Sequence, residues 1–302
     1  MTPDKIVVVH NGALGDFLLV WPGLLTLRRA FPAVPLLWAG RSSRLCWLRD
    51  LDCVAADPRT AAAIGALYST ETWPDALGTD TLVVWFGLQR CPAAVRHANL
   101  WFIPLVEPSG RPARLVALNA LEAYGVPRAT DWLETWQRLF GRWSAESADR
   151  DTTLLFPGAG HPAKQWPLPK FLELAERLAQ RGLKPAFVLG PVEMERGLRE
   201  LLPPEARVIA PADESALSAT LLRAGRVMGN DCGPMHLAGH LRVPGLVLFG
   251  PTSARQWRPV SLRSLALALP CRPCTLATAA LNCDRPLCLE LLDVERVDCA
   301  LP

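Results

Sequence analysis

The chain alternates short, wholly apolar runs with longer stretches in which apolar residues recur every three or four positions. Residues 6–9, 36–39, 82–86 and 100–103 read as strands. Residues 17–30 and 113–124 have helical spacing; the first carries Pro22, and the second stops at Gly125 and Pro127. Residues 141–151 (GRWSAESADRD) are polar and make the best linker candidate. The alternation then resumes, with strands at 153–156, 186–189, 207–209, 226–228 and 245–249. Helical spacing covers 168–181, 194–202, 215–224 and 234–241. Strands alternating with helices through short connections imply an α/β fold with parallel sheets. The pattern occurs twice, which predicts two Rossmann-like domains facing a cleft, over residues 1–145 and 152–302. Ligands in such sheets sit beyond the carboxyl ends of strands, so the loops that follow strands are where chemistry is sought.

Composition narrows the class. The chain has 302 residues and 50% hydrophobic residues, which excludes wholesale disorder. Its net charge is only +3, and no Lys/Arg-rich run occurs, which argues against a nucleic-acid partner. The apolar run at 6–9 is too short for a signal-peptide core. The stretch 17–27 is broken by Pro22 and Gly23 and falls short of the ~20 residues of a membrane span. The expectation is a cytoplasmic protein with at most peripheral contact with a membrane. Lysine is scarce (Lys5, Lys164, Lys170 and Lys184), so a lysine in a loop motif draws attention.

Three loops carry chemistry. The first, His10-Asn11-Gly12-Ala13-Leu14-Gly15-Asp16, follows the first strand. Gly12 and Gly15 allow a tight turn and close approach of a ligand. Asp16 sits at a helix start, where it can act as an N-cap. The spacing does not match G-x-G-x-x-G. The second loop runs from Phe156 to Pro167 and holds Gly158, His161 and Lys164. Small residues leave backbone N–H groups accessible, and Lys164 adds a cation, a combination suited to phosphate. The pattern is not that of a P-loop. The third, Gly229-Asn230-Asp231-Cys232-Gly233-Pro234-Met235-His236, ends a strand and opens a helix. Helix N-termini attract anions, and Pro at the first turn costs little there. Asp231 can cap this helix, and His236 can donate to a phosphate oxygen. Cys232 lacks a base–orienter pair and is not read as a nucleophile.

Together the segments GALGDFLLVWPGLLTLRRAFP, FPGAGHPAKQWPLPKFLELAERL and GNDCGPMHLAGHLRVPGLVLFGPT resemble glycosyltransferase family 9, the bacterial heptosyltransferases. The resemblance implies a GT-B fold, with the acceptor mainly on the first domain and the nucleotide sugar mainly on the second. It implies an inverting transfer from a nucleotide-diphosphate sugar, ADP-heptose first, to a lipopolysaccharide core or related envelope glycan. No cofactor is implied for the transfer itself. Asp16 matches the family's proposed general base, and Lys164 the lysine near the diphosphate. Asp231, Gly233 and His236 match a D-[ST]-G-x-x-H donor loop, in which Cys232 replaces the hydroxyl residue and Pro234 removes an N–H. Glu193, just beyond residues 189–190, is a candidate acceptor for a ribose hydroxyl.

Cysteine adds one further expectation. Cys271-x2-Cys274-x8-Cys283-x4-Cys288 has the spacing of a structural zinc or iron site, although free thiols fit the same residues. Any metal here would staple the C-terminal loop without taking part in catalysis. Two other functions compete with the transferase. One is a nucleotide-sugar-binding protein with a degenerate catalytic site. The other is a GT-B-shaped nucleotide-sugar epimerase, which needs further acid–base residues.

Overall fold

The computed structural model describes residues 2–88, 91–274, 283 and 285–302. The chain forms two compact units, Met1–Trp132 and Leu133–Pro302.

The first unit is built on β1 (Lys5–His10), β2 (Leu36–Gly40), β3 (Cys53–Ala55), β4 (Thr81–Gly87) and β5 (Leu100–Pro104). All pairs are parallel, in the order β3-β2-β1-β4-β5. Its helices are α1 (Leu14–Ala30), α2 (Pro58–Ala66) and α3 (Ala113–Ala123). The central strand is covered on both faces, so Ile6, Val7, Val8 and Val9 are all fully buried. This is why it reads as an unbroken apolar run with no alternation. The chain moves outward from β1 to β3, then crosses back to place β4 on the other side of β1. A topological switch point therefore lies between the carboxyl ends of β1 and β4. Helix α1 continues through Pro22, and the Thr26 hydroxyl donates to the Pro22 carbonyl at 2.8 Å.

The second unit repeats the plan with β6 (Asp149–Phe156), β7 (Lys184–Val188), β8 (Val208–Ile209), β9 (Ala224–Asn230), β10 (Gly245–Leu248) and β11 (Arg263–Leu265). The order β11-β10-β9-β6-β7-β8 is again parallel, with its switch point between β6 and β9. Its helices are α4 (Trp132–Phe140), α5 (Leu168–Gln180), α6 (Pro191–Glu195), α7 (Glu214–Arg223), α8 (Gly233–His240), α9 (Ala254–Trp257), α10 (Leu287–Glu290) and α11 (Val294–Ala300). The core joins Trp166, Phe171 and Leu174 beside α5 to Leu289, Leu292 and Val297 near the C-terminus. Two parallel sheets with flanking helices are the α/β architecture expected of GT-B.

Three features differ from the sequence expectation. The units divide at 132/133, ahead of the polar stretch 141–151, because that stretch and α4 are strapped to the second unit. Gln137 Nε2 donates to the His240 carbonyl at 3.3 Å, and the Trp143 backbone N–H donates to the Leu241 carbonyl at 2.8 Å. The helix expected over 194–202 is only α6, because Gly197 adopts a left-handed φ of 69°. The short edge strands β3 and β11 went unread, being only three residues each. Among the described residues no helix is long and apolar enough to cross a membrane.

Candidate functional site

Each unit carries a cluster of polar loop residues at its own switch point. In the first, β1 ends on His10, and α1 begins four residues later at Leu14. Asp16 lies in the first turn of α1, half-buried, with Ala13 as the N-cap residue. Asp16 therefore does not sit at the cap itself. Its Oδ2 reaches back and accepts the Ala13 N–H at 3.1 Å, which fixes the carboxylate over the loop. The helix dipole favours a negative charge in this position. A Cβ on Gly12 would lie 2.6 Å from both Asp16 Cβ and His10 Nε2, so this turn accepts only glycine. Gly15, buried in the same helical turn, completes the loop.

His10 spans the switch point. Its ring lies behind Gly12, and its Nδ1 is 3.3 Å from the Phe86 carbonyl at the end of β4. A carbonyl only accepts, so this contact assigns the proton to Nδ1. Burial pushes the imidazole pKa below its ordinary value. Asp16 and the Phe86 carbonyl oppose that shift, and Arg44 and Arg41 add to it.

In the second unit β6 ends at Phe156 and β9 at Asn230. Asn230 is fully buried and ties the ends together. Its Nδ2 donates to the Pro157 carbonyl at 2.7 Å, and its Oδ1 accepts the Trp166 N–H at 2.9 Å. The loop between is thereby held at both ends. Within it His161 caps a short helical turn by accepting the Ala163 N–H at 3.2 Å. That turn aims Lys164 at Asp231, with Nζ 2.7 Å from Oδ2 and both side chains buried. Thr252, in the loop after β10, donates its hydroxyl to the same oxygen at 2.9 Å. Lys164 is thus held in a fixed place by a buried ion pair, with Asp231 compensating its charge.

Asp231 is engaged with Lys164 and Thr252, and the N-cap position of α8 falls to Cys232. The expected capping role of Asp231 gives way to this ion pair. Burial pushes the Cys232 thiol up to about 12, so it stays protonated and is a poor nucleophile. Gly233 and Pro234 open α8, and His236 lies buried one turn in. Glu193 of α6 accepts the Gly190 N–H at 3.0 Å through Oε2. Its Oε1 lies 2.0 Å from where a Cβ on Gly158 would be, so Gly158 makes room for the carboxylate beside the Lys164 loop.

The four cysteines of the C-terminal cluster lie close enough for their thiols to act on one another. Cys271 and Cys274 are exposed, Cys283 is half-buried and Cys288 is buried. The Cys274 thiol donates to the Cys271 carbonyl at 3.2 Å. All four are free, and among the described residues no three of His, Cys, Asp or Glu are arranged to hold a metal ion. Hydrogen bonds staple this segment. The Arg272 guanidinium donates to the Gly250, Leu267 and Thr252 carbonyls, and the Cys274 N–H donates to the Pro251 carbonyl at 2.8 Å. The segment therefore braces the loop that carries Thr252.

The sequence reading missed His10, Asn230 and Thr252 as contributors. For the first two the usable signal was a polar residue closing an apolar strand. For Thr252 it was a hydroxyl shortly after a strand end.

Residues 117–283 match the family described as Glycosyltransferase family 9 (heptosyltransferase). A lipopolysaccharide heptosyltransferase 1 from Pseudomonas aeruginosa is 32% identical over 150 residues, 44% of this chain and 42% of that protein. A lipooligosaccharide heptosyltransferase 2 from Haemophilus influenzae is 30% identical over 160 residues, 50% of this chain and 46% of that protein. Each match thus spans less than half of the relative. The solved structure of E. coli ADP-heptose lps heptosyltransferase II shares the fold, with a TM-score of 0.63 at 17% identity over 97% of this chain and 96% of that one.

Proposed function

The chain belongs to glycosyltransferase family 9, and from that premise we propose that it is an inverting sugar transferase. Its donor is a nucleotide-diphosphate sugar, ADP-heptose first, and its acceptor is a hydroxyl of a lipopolysaccharide core or related envelope glycan. The observation that carries the reading is the buried Lys164–Asp231 pair at the second switch point, 2.7 Å long and next to the start of α8.

Transfer with inversion is a single in-line displacement. The acceptor oxygen attacks the anomeric carbon, its proton passes to the Asp16 carboxylate, and the bond from the sugar to the diphosphate breaks. The departing diphosphate gains negative charge. Lys164 and the N-terminal end of α8 are fixed before the reaction, so they stabilise that charge without reorganising. Asp231 and Thr252 hold Lys164 in place, and His236 is a further donor to phosphate. Glu193 is suited to a ribose hydroxyl because its carboxylate lies against the glycine turn at Gly158. Positive potential from side chain and backbone fills the role a divalent cation takes elsewhere, so turnover is expected to persist in EDTA. The cysteine cluster takes no part in the transfer. The chain works at the cytoplasmic face of the inner membrane, with at most peripheral contact.

Thermal shift with ADP, UDP, GDP and TDP tests the donor side. ADP is expected to stabilise the wild type and not Lys164→Ala. A shift with UDP or TDP alone would move the sugar elsewhere, and no shift with any would remove the donor site. Transfer from ADP-heptose to a core glycan, lost in Asp16→Asn, tests the chemistry. Binding without transfer to any acceptor would favour the degenerate binding protein, and product formation without acceptor would favour the epimerase.

A further inference from the structure

One buried group in the first unit's loop cluster has no assigned task. His10 is 5% exposed, and its Nε2 has no hydrogen-bond partner among the described residues. A buried polar atom left unpaired is costly, and most are satisfied. The orientation is not arbitrary. The Phe86 carbonyl takes the Nδ1 proton at 3.3 Å, which leaves the Nε2 lone pair pointing away from β4. Nε2 and Asp16 Cβ each lie 2.6 Å from the site of an added Gly12 Cβ, so the two side chains face one another across a residue with no side chain. The other charged groups around the ring are Arg41 and Arg44, from the segment after β2. Both are donors only and cannot supply a proton acceptor.

We propose that His10 is the proton partner of Asp16: its neutral ring presents a fixed lone pair that accepts the hydrogen bond of the Asp16 carboxyl group once that group has taken the acceptor hydroxyl proton. The inference rests on Asp16 being the base. The proton balance is simple. The hydroxyl proton moves to a carboxylate oxygen, and that carboxylic acid donates to Nε2. The proton leaves to solvent after the products depart. In the resting enzyme the lone pair offers Asp16 no donor. Once Asp16 is protonated the same lone pair stabilises it. His10 is thus a positioning residue that acts through Asp16, and it accounts for a histidine with one nitrogen tied and the other facing a carboxylate.

Two measurements test this on the full chain. The first needs no substrate. Long-range proton–nitrogen NMR of the five histidines, with His10 assigned through His10→Asn, reports tautomer and titration. The expected result is the Nδ1–H tautomer at pH 7.5, with a titration that moves to lower pH by roughly one unit in Asp16→Asn, because the carboxylate favours the imidazolium. An Nε2–H tautomer, or a titration indifferent to Asp16→Asn, overturns the pairing. The second is turnover with ADP-heptose. His10→Asn keeps a donor for the Phe86 carbonyl but has no titrating nitrogen. It is expected to lower kcat about tenfold or more, with donor KM and melting unchanged. Full kcat in His10→Asn alongside an inactive Asp16→Asn would overturn this inference alone. Full kcat in Asp16→Asn would overturn the base itself.

Discussion

The two units solve the same problem with different chemistry. Each is a parallel sheet with a switch point, and each bridges that point with one buried polar side chain from the end of a central strand. In the second unit Asn230 spends both ends of its amide, on the Pro157 carbonyl and the Trp166 N–H. In the first, His10 spends one nitrogen on the Phe86 carbonyl, and among the described residues no hydrogen-bond partner meets the other. A fully bonded strut makes a rigid frame, which suits the role proposed above for Lys164 as a fixed cation. A half-bonded strut leaves proton-accepting capacity beside Asp16. On the proposed reading, the difference separates a loop cluster built for fixed charge from one built for moving a proton.

The sharpest test of that division is Asp16→Asn. The amide retains an oxygen that can accept the Ala13 N–H, so the loop keeps its form and only the basicity goes. Transfer is expected to fall by about a hundredfold or more, the range of general-base contributions. Stability should stay within about 0.5 kcal/mol. Turnover and melting measured on one preparation check both. A large loss of stability would make Asp16 a structural residue and erase the contrast with Asn230.

Asn230→Ala should do the reverse. It leaves the Trp166 N–H and the Pro157 carbonyl buried without partners, at about 1–3 kcal/mol each when unsatisfied. The second unit is expected to lose about 3 kcal/mol by denaturant unfolding, and ADP binding should weaken because the Lys164 loop loses an anchor. A neutral result would mean that the loop is held elsewhere.

Much of this frame was legible in the sequence. The runs at 6–9, 82–86, 153–156 and 245–249 are apolar on both faces because the central strands of a parallel sheet are buried on both faces. The strands that escaped notice, β3 and β11, lie at sheet edges, where three residues leave no pattern. Loop chemistry was legible by residue type but not by partner. Asp231 at a helix start reads equally as a cap or as an ion-pair partner, and only the approach of Lys164 from residues far away in sequence decides it. The cysteine spacing was legible too, and the thiols of Cys271, Cys274, Cys283 and Cys288 do lie close enough to act on one another. The bracing there comes from Arg272, whose carbonyl partners no motif announces.

Paired glycine substitutions sharpen the comparison on a smaller scale. Gly12→Ala drives a methyl group into the His10 ring and the Asp16 Cβ, both fixed within the fold. The first unit is expected to lose about 1–3 kcal/mol, as overpacking does. Gly158→Ala meets the Glu193 side chain, which is flexible and only half-buried. Glu193 should swing aside at a cost below about 1 kcal/mol. ADP affinity should nonetheless fall several-fold through the lost ribose contact. Titration calorimetry with ADP on both variants separates them, and unchanged affinity in Gly158→Ala would remove Glu193 from the donor site.

The smallest effect expected is a pH dependence confined to the first unit. Burial holds the His10 pKa below the ordinary value of 6.5. Between the folded-state pKa and 6.5 the unfolded chain therefore binds more protons than the folded one. Stability must rise with pH across that window and fall as the pH drops through it. Above 6.5 the ring is neutral in both states and contributes no slope. One such group gives at most about 1.4 kcal/mol per pH unit, and the opposing pull of Asp16 narrows the window. Amide hydrogen exchange in β1 and β4, followed from pH 7.5 to 5, should show the first unit loosening relative to its own value at neutral pH after correction for intrinsic rates. His10→Asn should flatten that slope, since an amide does not titrate. Asp16→Asn should steepen it, because removing the carboxylate lowers the folded-state pKa and widens the window. Asn230, which bridges the other switch point, cannot titrate at all, so Asn230→Ala should change the level of protection in β6 and β9 without changing how it varies with pH. Equal slopes in wild type and His10→Asn would mean that the ring takes up protons equally in the folded and unfolded chain, so that folding does not hold its pKa down.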